Sequence, residues 1–515
     1  MKKIFSLVIF ILTFVIGLTA CYDDKGNYDY ITLPQISFDG ADGETIFATQ
    51  FTTLNLPVTI DFNGANESEY EYFWRLWSNG VGGYNEQKEI YQGKDLSYEV
   101  TDMPGSYTLL LTCQNKGTGV KSYRKYTLVV QGVITEAWMV LQEKEGKTDF
   151  DMIMSPYFSQ RVKEDKVLHD VYKSINNEQL QGRGVKIGSF YCIGRYQNVT
   201  ILTDKSGVRL DATTMQKVFD METLMPDMND WKPQNYLFFP YYWSPGSRGY
   251  DAIISNGKYY EYSSLQGFTT YIEAITTNGL AYKASPYAPR WFDYYLGIVY
   301  DELGGRFLCY SKDNFGMSNF ILQEMPETAS STVCDLRNMH STLRYMDSGF
   351  KKYEWGLFKD WDTNEHVLYG FNFDTRNNVP KEKYVVKDCP ELDNASFFAI
   401  GDLGPVFFYA TEKDVYQYDY AGKNTGKKVY SLTVSDEKIT GMKIFKPCVD
   451  RFIPSHDFNN KILVLSTYNQ TTKEGKIYMY HIDASNGAID LASEKVFDGF
   501  GEILDMEYNY PKWGS

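Results

Sequence analysis

Two aromatic segments hold the side chains best suited to gripping a ligand. The first, YLFFPYYWSPGSRGYD, runs from Tyr236 to Asp251, and the second, SPYAPRWFDYY, from Ser285 to Tyr295. Each carries prolines that interrupt regular strand pairing, each holds an arginine, and each precedes a strand of a hairpin. As loops on one rim of a β-structure they would present Tyr241, Tyr242, Trp243, Arg248, Arg290 and Trp291 to a ligand. Aromatic faces stack on sugar rings or peptide side chains, and a guanidinium clamps a carboxylate. The alternative is that these residues seal the packing between neighbouring sheets.

Residues for covalent or acid–base chemistry are scattered instead of gathered. The five histidines are His169, His340, His366, His456 and His481. None stands in H-E-x-x-H, which removes a helical zinc-protease site. His366 and His481 fall in strand-like runs and read as structural. There is no G-x-S-x-G, so a nucleophile elbow has no support. Gly422 to Lys427 imitates a phosphate-binding loop, but the spacing is one residue short and Lys428 takes the Ser/Thr position. It reads as a turn between VYQYDY and KKVYSL. Asp61 to Glu71, DFNGANESEYE, crowds oxygen ligands together, yet lacks the loop length and terminal glutamate of an EF-hand, and also reads as a turn. No catalytic residue, metal site or cofactor is expected.

The elements that must hold these residues are β-strands. At 515 residues the chain suits two or three domains, and 43% hydrophobic residues are enough to build their cores. The 43 tyrosines, 32 phenylalanines and 9 tryptophans favour strands. A formal charge of −15 and the absence of a basic run argue against nucleic acid as a partner. Beyond Cys21 the cysteines are Cys113, Cys192, Cys309, Cys334, Cys389 and Cys448, widely and irregularly spaced. Cys113 and Cys309 lie in strand-like runs as small apolar residues, and no disulfide framework is implied.

Residues 33–131 read as a β-sandwich of short strands. In YEYFWRLW, Tyr70, Tyr72, Trp74 and Leu76 share one face; after the Pro104-Gly105 turn, Tyr107, Leu109, Leu111 and Cys113 do the same. From 132 to 515 a different unit recurs: a hydrophobic strand, a polar turn and a second aromatic-rich strand. The clearest copy is AIISNGKYYEYS, with Asn256-Gly257 at a type I′ turn. The others begin at Trp138, Ile201, Gly297, Gly356, Val406 and Ile462. Seven copies about fifty residues apart predict a seven-bladed β-propeller, with six or eight blades as the alternatives. The final GFGEILDMEYNY is expected to complete the first blade or to pair beside it.

The N-terminus reads as an export signal. Lys2 and Lys3 precede an apolar run, Ile4 to Ile16, that is too short to span a bilayer but suits a signal peptide. Leu18-Thr19-Ala20-Cys21 fits the bacterial lipobox, so residues 1–20 are expected to be removed and Cys21 to carry lipid. Residues 21–32 would then form a flexible tether. Several acyl chains at about 0.8 kcal/mol per buried methylene make such an anchor lasting.

Several of these stretches carry a family resemblance. Tyr72-x-Trp74-x-Leu76 followed by Pro104-Gly105-Ser106-Tyr107-Thr108-Leu109 resembles the paired motifs of PKD domains, although Ser78-Asn79-Gly80 replaces the usual glycine-aspartate-glycine turn. Together with CYDDKGNYDY, the W-M-V-L-Q-E strand and the terminal G-F-G-E-I-L-D-M-E-Y, the mature chain resembles the PKD-like family of outer-membrane lipoproteins. Tyr22-Asp23-Asp24 is similar to the surface-export signal of such lipoproteins. The resemblance implies a lipid-anchored, externally facing protein that accompanies a SusC/SusD-like nutrient transporter and other surface lipoproteins. The expected function is non-catalytic: binding or presenting an oligosaccharide or oligopeptide. A propeller glycan hydrolase or lyase, its carboxylates supplied by different blades, is the first alternative. A structural spacer or adhesin is the second.

Overall fold

In the computed structural model the described residues are 36–78, 87–102, 104–132, 136–160, 162–192, 196–239, 250–262, 269–290, 295–311, 321–447 and 456–509. They form two compact units, which divide between Gln131 and Gly132.

The first unit is built on a five-stranded sheet. Its spatial order is Glu44–Thr49, Lys121–Gln131, Gly105–Asn115, Tyr70–Ser78 and Lys88–Gln92, and only the first pair is parallel. The two motif-bearing strands are direct neighbours: Tyr72 faces Cys113, Trp74 faces Leu111 and Leu76 faces Leu109. Because side chains alternate along a strand, this register puts Trp74, Leu76, Leu109, Leu111 and Cys113 on one buried face. Leu96, Tyr98 and Val100 belong to the same core. Trp74 donates its indole N–H to the Gly93 carbonyl at 3.0 Å and stacks on Tyr126 with centroids 5.8 Å apart. The Asp61–Glu71 stretch is a turn: Asp61 Oδ1 accepts from the Asn63 amide, and Asn66 caps a short 3₁₀ turn at Glu67–Glu69.

The second unit contains seven four-stranded sheets among the described residues. All seven repeated hairpins are present; six form the middle pair of a sheet, and the one from Gly297 forms the first two strands of the fourth. In the third sheet, Tyr250–Ser255 and Lys258–Tyr262 are joined by Asn256 and Gly257 at φ 49° and 72°, the left-handed pair that a type I′ turn requires. Five sheets follow chain order from inner to outer strand. In the fourth, Tyr295–Asp301, Arg306–Ser311 and Ile321–Glu324 are completed by an upstream strand, Ile275–Thr276, running parallel. The first sheet draws on both ends of the unit: Glu502–Asn509 pairs antiparallel with Ala137–Lys144, followed outward by Lys147–Met154 and Lys166–Leu168.

Neighbouring sheets bury their faces on one another. Leu202 of the second sheet meets Tyr236 and Ile253 of the third. Ile254 of the third meets Val299 and Leu308 of the fourth, and Phe307 of the fourth meets Phe358 and Phe371 of the fifth. Trp355 of the fifth meets Phe407 and Tyr418 of the sixth, and Phe408 of the sixth meets Leu463 and Leu465 of the seventh. Ile462 and Val464 of the seventh pack with Trp138 and Tyr508 of the first. A strand covered on both faces has no polar side, which is why Phe407–Ala410 is apolar throughout and fully buried. Much of the aromatic excess is spent here; Tyr409 and Tyr416, for example, stack at 5.0 Å.

Two further details bear on stability. Asp149, buried in Lys147–Met154, accepts the Tyr172 and Lys173 amides at 2.9 and 3.0 Å, at the start of the helix Val171–Asn176. Cys113 and Cys309 are fully buried and unbridged, as free thiols inside strands.

Candidate functional site

The inner strands of the sheets converge on one cavity of about 350 Å³. Gly184–Cys192, Pro233–Phe239, Ser341–Gly349, Phe397–Ile400, Glu437–Ile444 and Glu502–Asn509 each send side chains to its wall. The fourth sheet contributes through residues 287–290, just ahead of its inner strand. An inner strand has a sheet on its outer side only, so its inward side chains are the ones left for the cavity. Gly188 lets two sheets approach closely here, since a Cβ at that position would overlap the Tyr236 ring.

The wall is partly aromatic. Tyr287 meets Tyr345 edge-on at 5.4 Å, and Tyr345 stacks on Phe398 at 5.6 Å. Beside this row lies a charged cluster centred on Lys446. Its ammonium reaches Asp347 Oδ2 at 2.7 Å and Asp402 Oδ1 at 3.3 Å, and donates to the Ser348 carbonyl at 2.8 Å. Asp347 also accepts from the Ser348 amide at 2.9 Å and the Tyr345 hydroxyl at 3.3 Å, and lies 3.5 Å from Arg290 Nε. Asn460 fixes Asp402 by accepting its backbone N–H at 2.7 Å.

A second cluster stands on the first, second and seventh sheets. Asp505 binds Lys186 at 3.1 Å and accepts the Ile187 amide at 3.1 Å. Lys443 reaches Glu507 at 3.2 Å and Asp505 at 3.6 Å, and donates to the Met506 carbonyl.

These surroundings move the charges in different directions. Burial lifts Asp402, and the neighbouring Asp347 adds to the lift, against the pull of Lys446. Burial also acts on Asp347, but Lys446 and Arg290 outweigh it and hold that carboxyl below its ordinary range. Burial and the nearby Lys443 hold Lys186 below the usual lysine range despite Asp505. Burial opposes the charge on Lys443 and Lys446 as well, yet their carboxylate partners keep both above it. Arg290 opposes the charge on both ammoniums as well.

Of the residues singled out in the sequence, Arg290 lines this cavity. Tyr241, Tyr242, Trp243, Arg248, Trp291 and the lipidation candidate Cys21 lie outside the described residues. The first aromatic segment is not wholly a loop: Tyr236 to Phe239 end an inner strand, Pro233–Phe239. Tyr236 is buried with its hydroxyl donating to Asp251 at 2.8 Å, which is the sheet-sealing role. The five histidines sit apart; His366, for instance, lies against Arg344, and His481 stacks on Tyr157. No group of three or more potential metal ligands occurs among the described residues. Lys186, Asp347, Asp402, Lys443, Lys446, Asp505 and Glu507 were missed by sequence reasoning. The available signal was positional: all but Asp402 and Lys446 lie in the strand before a repeated hairpin or in the closing strand, and those two follow such a strand directly.

Residues 21–184 match the sequence model of the PKD-like family, beginning at Cys21 and ending at the first residue of the second sheet. The resemblance drawn over the whole mature chain is thus shown for its N-terminal part. No curated protein matches the sequence. Among solved structures, a quinoprotein alcohol dehydrogenase-like protein from Bacteroides thetaiotaomicron is similar at 11% identity and a TM-score of 0.47, covering 90% of this chain and 96% of that one. The extracellular domain of a candidate one-component system from the same species is similar at 11% identity and a TM-score of 0.34, covering 92% and 70%. A polysaccharide lyase is similar at 11% identity and a TM-score of 0.24, covering 77% and 85%. These likenesses are too distant to carry an activity to this chain. No helix among the described residues is long and apolar enough to cross a membrane.

Proposed function

We propose that this protein is a surface lipoprotein whose second unit, a seven-bladed β-propeller, binds an oligosaccharide or oligopeptide in its central cavity without transforming it. The observation that carries the reading is the convergence of the inner strands on a small cavity lined by aromatic rings and paired charges. Ring closure is supported by the sheet-to-sheet packing and by the entry of Glu502–Asn509 into the first sheet. Ligand pockets combine such apolar walls with a few fixed polar groups. The lipobox at Cys21, where the family match begins, supports the anchor. On the strength of the family resemblance, the protein serves a SusC/SusD-like transporter in the outer membrane. Affinity capture of the lipidated protein from native outer membranes, followed by mass spectrometry, tests the role. Recovery of such a transporter pair is the expected result; recovery of the protein alone would remove the partnership.

The reading as a glycan hydrolase or lyase draws on one specific observation. Asp347 and Asp402 meet at Lys446 with their protonation pushed in opposite directions, as an acid–base pair requires. Against it, the Lys446 ammonium occupies the space between them, where a glycosidic bond would need to sit. Incubation with a panel of polysaccharides, monitored for new reducing ends and unsaturated products, separates the readings.

A further inference from the structure

We propose that two copies of this chain pair through the outer face of the five-stranded sheet in the first unit, as a two-fold dimer. The inference depends neither on the cavity nor on the lipid anchor.

Side chains alternate along a strand, so a sheet with one face on a core normally points polar groups from the other. Here the inner face is covered by the short strands Ser37–Phe38, Ile60–Asp61, Thr53–Leu56 and Leu96–Glu99, whose Phe38, Ile60, Leu54 and Leu96 pack with Trp74 and Leu109. The residues that alternate with the core positions point the other way, and they include Phe47, Phe73, Trp77, Leu110, Tyr123 and Val129. None of these six belongs to the core. Phe47 and Tyr123 are 63% and 56% exposed. The alternation of YEYFWRLW thus puts aromatic rings on both faces of one strand, and only one of those faces has a partner within the unit.

A second copy fits this face in area and in charge. Five strands about 4.8 Å apart and roughly nine residues long make a footprint of about 20 by 30 Å. Two such faces bury about 1,200 Å² before side-chain relief is counted, which clears the roughly 1,000 Å² of a specific interface. Sheet faces are buried on other sheet faces in the same manner inside sandwich proteins. The chain carries a net charge of −15, so two copies repel and approach closely only where the surface is not acidic. The charges that point outward from this sheet are Glu71, Arg75, Glu89, Lys121 and Lys125, one more cation than anion. The ion pairs of the unit among the described residues, Lys94–Glu67 and Arg124–Glu44, leave all five unused. Glu89 holds the Gln92 amide at 2.7 Å. A two-fold contact sets each patch against itself, so the carboxylates of one copy have cations of the other to meet. The described chain begins in the opposite layer, at Ser37–Phe38, so this face points away from the side where the N-terminal segment joins. That disfavours an anchoring membrane as the occupant.

The test is sedimentation velocity of the mature chain carrying Cys21→Ser, made without its leader and free of lipid, at concentrations up to about 100 µM. A reversible monomer–dimer equilibrium is expected. Phe47→Glu and Tyr123→Glu should each raise its dissociation constant about tenfold or more, since a two-fold interface carries every substitution twice. Both sites are exposed in the single chain, so circular dichroism melting should be unchanged. Leu491→Glu, at an exposed site of the second unit, should leave the equilibrium as it was. A chain that stays monomeric over the whole range overturns the proposal, and so does a dimer that neither substitution weakens. A monomer retained on insoluble polysaccharide, or on vesicles of phosphatidylcholine and phosphatidylglycerol, and released by Tyr123→Glu, would overturn it in favour of a glycan-binding or membrane-docking face.

Discussion

Arg209 of the second sheet and Asp251 of the third form an ion pair across the sheet boundary, with side chains only 4% and 1% accessible. The Tyr236 and Tyr271 hydroxyls donate to the same Asp251 oxygen at 2.8 and 2.7 Å, and the guanidinium lies 4.8 Å from the Tyr262 ring centroid. Removing one partner leaves a buried charge with nothing to balance it, which typically destabilises by about 3–5 kcal/mol. Arg209→Met and Asp251→Asn should therefore each lower the melting temperature sharply. The double variant should melt higher than Arg209→Met alone. A double variant as unstable as the two single losses combined would show that the pair does not act as a unit.

A second prediction concerns how the seventh and first sheets are held together. Met506 is 2% exposed and packs with Trp138, Val464 and Phe500 where the seventh and first sheets meet. Met506→Ala should destabilise by about 2–5 kcal/mol in chemical denaturation, through lost contacts and a residual void. Leu491→Ala, at a site 53% exposed, should change stability by less than about 0.5 kcal/mol.

The hairpins were legible because each carries its signal locally: apolar runs, an aromatic second strand, a turn dipeptide such as Asn256-Gly257. The sandwich motifs were legible for the same reason, since Trp74 and Leu111 lie in strands whose alternation is continuous. The cavity was not. Lys186, Asp347, Lys443 and Glu507 come from four different sheets, and apart from their place before a repeated hairpin or in the closing strand no local motif marks any one of them. Arg290 was found because prolines and aromatics surround it; Tyr236, which opens the other aromatic segment, lines the cavity and also packs between the second and third sheets.

Acid stability offers a third prediction, built on two groups with opposite signs. Burial raises Asp149 to about 6, only partly offset by the Phe150, Lys173 and Tyr172 amides. The folded state thus holds a proton that the unfolded state has released, and stability from this group falls as pH rises from about 4 to 6. Burial, with Arg344 beside it, lowers His366 to about 4. Here the unfolded state binds the extra proton, so stability rises with pH between about 4 and 6.5. The two slopes oppose each other in the native protein. His366→Gln should make the slope of stability against pH more negative than in the native protein across that window, and Asp149→Asn should make it more positive. Urea denaturation at half-unit pH steps checks both, and unchanged slopes in either variant would refute its assignment.

The proposed lipid anchor gives a fourth prediction. Cys21→Ser should abolish incorporation of labelled fatty acid and release the protein from the membrane fraction, because the apolar leader alone is too short to hold it. Retention of the variant in the membrane pellet, with label still incorporated, would place the acylation elsewhere.

The pairing of Glu502–Asn509 with Ala137–Lys144 also sets a timetable for biosynthesis. Ala137–Lys144 emerges with one edge unpaired, and its partner is made only after six further sheets. At roughly 5–20 residues per second, that interval lasts tens of seconds. Throughout it the open edge is a template for any other extended chain. A nascent or truncated copy therefore carries an open strand edge that a finished one has covered, a mark that holding chaperones and proteases can read.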